Sequence, residues 1–154
     1  MAFVNEKSEK IEEILARDGV YASVTEGVSM RPLFKTHRDM IILEPPKSRP
    51  KKYDVALYRA GEKYILHRIV RVDEKRGIFI IRGDNTYRDE LVPFDKIIAV
   101  LTGINRKGKR VDIDGLSYRA YSVFWTAIYP LRYPFGKGRL LLGAIYRKTF
   151  GKNK

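Results

Sequence analysis

Short apolar runs separated by charged turns dominate the chain between residues 20 and 113. Val20-Tyr21-Ala22-Ser23-Val24-Thr25 alternates with the period of a half-buried strand. Met40-Ile41-Ile42-Leu43 is a compact run stopped by Glu44-Pro45-Pro46. Residues 54–58 form another run, and Gly61 turns the chain into residues 64–72. Residues 73–77 read as a charged hairpin turn, with Ile78-Phe79-Ile80-Ile81 returning from it. The last long strand covers residues 96–104, and Gly108 turns it into Val111-Asp112-Ile113. So many short strands with charged turns predict a mainly β, compact, coiled sheet domain.

The flanks follow a different period. Residues 3–17 carry Ile11, Ile14 and Leu15 at helical spacing on a charged background, and Asp18-Gly19 is a stop signal. The narrow stripe predicts a helix resting on a surface. After Asp114 no acidic residue appears. Tyr118, Tyr121, Phe124, Trp125, Tyr129 and Tyr133 alternate with Arg119 and Arg132, and the basic-aromatic character continues to the end. Pro130 and Pro134 predict two short helical pieces, broken near residues 130–136. The organisation is therefore an N-terminal helix (1–19), a β domain (20–114) and a basic aromatic helical tail (115–154).

Composition narrows the chemistry. The 154 residues suffice for one core without covalent staples. There is no Cys, which excludes disulfides and thiolate metal sites, and the two His belong to no metal-ligand spacing. No cofactor or metal is expected. The net charge of +13 suits an anionic partner. No apolar run approaches the ~20 residues of a spanning helix. The opening Glu6-Lys7-Ser8-Glu9-Lys10 lacks the apolar stretch of a signal peptide. The expected location is the cytoplasm or the cytoplasmic face of a membrane. There the tail, amphipathic and basic, would either lie on anionic lipid or pack on the core.

Three motifs at the edges of strand-like runs supply candidate chemistry. Gly27-Val28-Ser29-Met30-Arg31-Pro32 offers a hydroxyl nucleophile, His67-Arg68 a titratable base, and Arg82-Gly83-Asp84-Asn85 a carboxylate. A second carboxylate, Asp89, follows with Glu90. Histidine exchanges protons near neutral pH and can serve as acid and base in turn. His37 lies in the polar loop Lys35-Thr36-His37-Arg38, so His67, on a regular strand, is the better candidate. Lys63 is the basic alternative, four residues from His67 along the strand. Arg68 and Arg82 read as structural partners of the carboxylates.

In this order the motifs resemble the signal peptidase family, in the form found in archaea and the endoplasmic reticulum, and more broadly the serine peptidases that include self-cleaving repressors. The resemblance runs from Thr25 to Gly103. Ser29, Met30 and Pro32 match its Ser-Met-x-Pro box, and Asp39 matches the Asp before an apolar strand. Tyr53-Asp54-Val55-Ala56 matches the Gly-Asp-Val-Val box without its Gly. His67-Arg68 matches the His-Arg pair, and Gly83-Asp84-Asn85 the closing Gly-Asp-Asn box. The resemblance implies a signal-peptidase-like fold and a serine endopeptidase acting on a precursor or leader peptide, with small side chains near the cut. It implies Ser29 as nucleophile, His67 as general base, Asp84 or Asp89 as the group orienting His67, and Met30 and Pro32 at the substrate-binding wall, where Met30 would mainly pack. The alternative is a non-catalytic basic module of the same fold that binds an anionic membrane or nucleic acid. Nucleic acid is disfavoured as a partner, since no recognition-helix or RNA-binding box is present.

Overall fold

The structure, a computed structural model, describes residues 3–4 and 10–134. It is a mainly β fold with helices at either end of the chain, as the sequence pattern predicts. Among the described residues nine strands form one antiparallel sheet: β1 (Phe3–Val4), β2 (Tyr21–Glu26), β3 (Asp39–Glu44), β4 (Val55–Ala60), β5 (Lys63–Asp73), β6 (Ile78–Arg82), β7 (Glu90–Pro93), β8 (Ile97–Arg106) and β9 (Lys109–Val111). Their order is β1-β2-β3-β8-β4-β5-β6-β7, with β9 on β8. Because β1 also pairs with β5, the path β1-β2-β3-β8-β4-β5 closes into a ring.

The sheet carries a core on each face, and strand alternation explains how. In β4, Val55 and Leu57 enter one cluster while Ala56 and Tyr58 enter the other. In β5, Tyr64 and Leu66 share the first cluster, and Ile65 and Ile69 the second. Successive side chains on a strand point to opposite faces, so a central strand buried on both sides reads as one continuous apolar run. His67 and Arg68 follow on β5 and inherit the same alternation.

The first helix, α1 (Ile11–Asp18), is shorter than the sequence pattern predicts. Ile11 and Leu15, one turn apart, are its buried face. Gly19 ends it in the left-handed region, its N–H bonded to the Leu15 carbonyl at 2.9 Å. Phe3 and Val4, expected in that helix, are strand instead: their backbones pair with β2, and Phe3 also with β5. Strand β7 has no counterpart among the expected elements. It is four residues long, lies at the sheet edge and contains Pro93, which an edge tolerates because a missing N–H costs nothing on the open side.

The tail begins as α2 (Leu116–Ala127), breaks at Ile128 and resumes as helix over residues 129–134. The break precedes the expected one. Pro130 has no N–H to offer the carbonyl four residues back, so the ladder fails before the proline is reached. Pro130 itself lies in the second helical piece. The remainder of the tail, including Lys137 and Arg139, lies outside the described residues. Tyr118 and Tyr121 of α2 pack on the same cluster as Ile11 and Leu15 of α1. Among the described residues no helix is long and apolar enough to cross a membrane.

Candidate active site

Ser29 sits in the turn that leaves β2. Gly27 makes the turn at φ 79°, a conformation that costs glycine little. The Arg31 N–H bonds to the Val28 carbonyl at 3.1 Å and the Phe34 N–H to the Met30 carbonyl at 3.2 Å. Met30, Leu33 and Phe34 are buried in the first core cluster and anchor the loop from below. Met30 is only 1% exposed and packs in the first core cluster, whereas Pro32 is exposed.

Strand β5 brings His67 to this loop. Its Nε2 lies 2.8 Å from Ser29 Oγ. The two side chains, 38 residues apart in sequence, meet inside the protein. The other ring nitrogen faces a carboxylate, and that carboxylate is Glu90. Glu90 Oε1 is 3.3 Å from Nδ1, within ion-pair distance of a protonated ring but outside the geometry of a well-formed hydrogen bond. The Tyr58 hydroxyl donates to Glu90 Oε2 and fixes the carboxylate from behind. Burial works against the charge on Glu90, but its contacts with His67 and Tyr58 more than offset this, and its pKa lies below the ordinary value. Burial and the neighbouring Glu90 push the Tyr58 pKa up, so the phenol stays a donor.

Neither expected aspartate orients His67. Asp84 turns to the opposite face, where β5 presents Arg68. Arg68 Nε and Nη2 grip its two carboxylate oxygens at 2.8 and 2.9 Å. The pair is buried, and the Tyr121 hydroxyl donates to Asp84 Oδ2 at 2.8 Å. Arg68 Nη1 also donates to the Tyr53 carbonyl and to Ser122 Oγ. Burial disfavours the guanidinium charge, yet Asp84 raises the Arg68 pKa above its usual value. Asp89 pairs with Arg82 at the surface. The cause is register: Glu90 begins the pairing of β7 on β6 opposite Ile81, which carries it over the His67 face and leaves Asp89 outside the sheet. Alternation of Glu90-Leu91-Val92-Pro93, with Leu91 exposed and Val92 buried, is the sequence signal for that edge strand.

Asp84 nevertheless shapes the site through its neighbours. The Asn85 N–H bonds to the Ser29 carbonyl at 2.6 Å, and the Asn85 side-chain amide donates to the Val28 carbonyl. Gly83 sits against the dyad itself. A β-carbon there would lie 2.9 Å from His67 Nε2 and 2.8 Å from the Ser29 carbonyl oxygen, so only glycine fits. From the other side α2 and the residues after it hold the loop: Trp125 Nε1 and Arg132 Nη2 each donate to the Asp84 carbonyl at 2.8 Å. His37 is exposed in its loop, and Lys63 is exposed at the start of β5. Ser29, His67 and Glu90 thus place a hydroxyl, an imidazole and a carboxylate in succession, an arrangement able to pass a proton from a hydroxyl to an imidazole.

No protein-family model matches the chain, and no curated protein matches it.

Proposed function

We propose that this chain is a serine endopeptidase of the signal-peptidase kind its sequence resembles, with Ser29 as nucleophile, His67 as general base and Glu90 as the group that orients His67. The observation that carries the reading is the 2.8 Å approach of Ser29 Oγ to His67 Nε2. With a proton on Nδ1 beside Glu90, Nε2 is left to accept from the hydroxyl. His67 takes the Ser29 proton as Oγ bonds to the substrate carbonyl carbon. The imidazolium so formed faces an ionised Glu90. The same proton passes to the leaving amine, the C–N bond breaks, and Ser29 holds the acyl group. Water, deprotonated by His67, then releases the acid and restores Ser29. A backbone N–H of the loop carrying Ser29 would take the developing oxyanion. The substrate would be an extended segment pairing with a strand edge.

A serine-reactive phosphonate probe, with the modified peptide located by mass spectrometry, tests the reading. The probe labels Ser29 in the wild-type chain and does not label it in His67→Ala. Glu90→Gln slows labelling about 10²-fold, short of the ~10⁴-fold known where the carboxylate makes a tight hydrogen bond to the base. Asp89→Asn labels within about twofold of wild type, as expected of an exposed ion pair. A wild-type chain whose Ser29 resists the probe, or labelling faster at Ser29 in His67→Ala, speaks against the dyad.

A membrane-surface partner is part of the same proposal, and α2 supplies the observation that favours it. Its Tyr118, Tyr121 and Trp125 face the protein, whereas Leu116, Val123 and Phe124, with Leu131 beyond the break, are exposed. Arg119 is exposed beside this apolar stripe, and no acidic residue follows Asp114. Packing and surface docking thus belong to different faces of one segment. Several basic residues at ~1 kcal/mol each would add to the apolar contact on anionic lipid. The chain should sediment with anionic vesicles and not with neutral ones, and salt should release it. Because α2 also braces Asp84, substitution is cleaner than truncation: Phe124→Ser with Leu131→Ser should leave the protein in the supernatant. Unchanged sedimentation would remove the outer face of α2 from the proposal.

A further inference from the structure

Ser29 and His67 are only 2% and 1% exposed. A substrate carbonyl therefore has no path to Oγ in this arrangement, and some part of the chain has to give way. Strand β1 is placed to be that part. Phe3 pairs with Glu26 of β2 on one side and with Ile65 of β5 on the other, and Val4 pairs with Thr25. Glu26 lies three residues before Ser29, and Ile65 lies two before His67. The slot between β2 and β5 thus leads to the dyad from both of its walls.

Among the described residues no other strand pairs with β2 and β5 along this slot. The far edge of β2 is taken by β3, and that of β5 by β4. On the near edge of β5, β6 begins its pairing only at Arg68. What remains facing the slot is backbone able to pair with an extended peptide, and β1 is an extended peptide pairing antiparallel to both walls. Its hold is slight. It is two residues long, with two register pairs on β2 and one on β5, against six between β4 and β5. Short elements with few pairings open at low free-energy cost.

We infer that β1 occupies the peptide track of the site and that an extended substrate binds by displacing it, so that the segment carrying Phe3–Val4 is a built-in competitor. The catalytic consequence rests on the peptidase reading; the competition for the slot does not. Tethering gives such a competitor an effective concentration in the millimolar range, which weak pairing partly offsets. The site is then closed to casual substrates and opens to a segment that pairs better than β1.

The full chain contains no Cys, so a single engineered pair can lock the strand. Val4 and Thr25 are facing Cα partners in an antiparallel pair, where Cα separations of about 4.5–5.5 Å fall within disulfide range. The double variant Val4→Cys, Thr25→Cys is oxidised to hold β1 in place and reduced to free it. The probe is a fluorescein-labelled peptide with the sequence of residues 1–9, read by anisotropy. The oxidised form should bind it at least about tenfold more weakly than the reduced form of the same protein. Phe3→Pro, which removes an N–H from the central strand of the three, should bind it more tightly than wild type, with circular dichroism unchanged. Equal binding by oxidised and reduced forms, or binding by neither, overturns the inference. Labelling of Ser29 by the phosphonate separates the two proposals. Equal labelling in both redox states, with labelling intact, sinks the competitor alone. Redox-controlled peptide binding with no labelling in any form sinks the peptidase alone.

Discussion

On the proposed reading, Ser29→Ala should abolish peptide cleavage, His67→Ala should abolish it to the same extent, and the double variant should be no worse than either. Each single change removes the proton transfer that makes the hydroxyl a nucleophile, so nothing is left for the second to remove. In an unrelated peptidase the loss from either member of such a pair is about 10⁶-fold, and the losses do not add. The folded state should survive the serine change. It deletes one oxygen and leaves His67 Nε2 without that partner, at about 1–3 kcal/mol. A melting curve run beside the cleavage assay separates lost chemistry from lost structure. Cleavage at the wild-type rate by Ser29→Ala would place the nucleophile elsewhere.

The largest expected effect on stability is at Arg68 and Asp84. Arg68→Met leaves the Asp84 carboxylate buried without its cation, and removal of one member of a buried pair costs about 3–5 kcal/mol. For a chain of this size that lowers the melting temperature by about 10 °C. Asp84→Asn should cost a comparable amount, because the guanidinium is then the uncompensated charge. The loss in the double variant should fall well short of the sum, as expected for groups in direct contact. Trp125, the only tryptophan, bonds the Asp84 carbonyl and reports the docking of α2 by its fluorescence. Its emission should shift to the red when the pair is broken. At a temperature where Asp84→Asn is folded, it should cleave better than Glu90→Gln. An unchanged melting temperature for Asp84→Asn would show that the pair does not hold the helix.

That order of importance is the reverse of what the sequence suggested, and the pleat explains why. The chain presents His67 and Arg68 together and three carboxylates at residues 84, 89 and 90. Nothing local says which acid meets which base. The choice is made by the alternation of β5 and by the register of β7 on β6, a pairing between separate segments. The meeting of Ser29 and His67 was legible through the order of the Ser-Met-x-Pro and His-Arg motifs and not through local pattern, since His67 lies in the middle of β5 and by pattern alone reads as a half-buried strand residue. The central strands were legible because the strand character of their runs is strong. Phe3 and Val4 were read into a helix because their partners, β2 and β5, lie far along the chain. In the tail, the aromatic-basic pattern fitted an inward and an outward face equally well. Arg68 and Asp84 decide which aromatics turn inward, since Tyr121, Ser122 and Trp125 all bond to that pair.

The brace on the Gly-Asp-Asn loop also sets a schedule. A ribosome delivers Ser29 first, then His67, then Glu90, and only after these Trp125 and Arg132. At about 5–20 residues per second, roughly 5–20 s separate synthesis of the serine from synthesis of the last group that fastens the loop beneath it. Throughout that interval the hydroxyl is an ordinary alcohol, without its full frame. On the proposed reading, a nascent chain therefore carries no finished site until residue 132 has been made, and chemical competence waits for that brace.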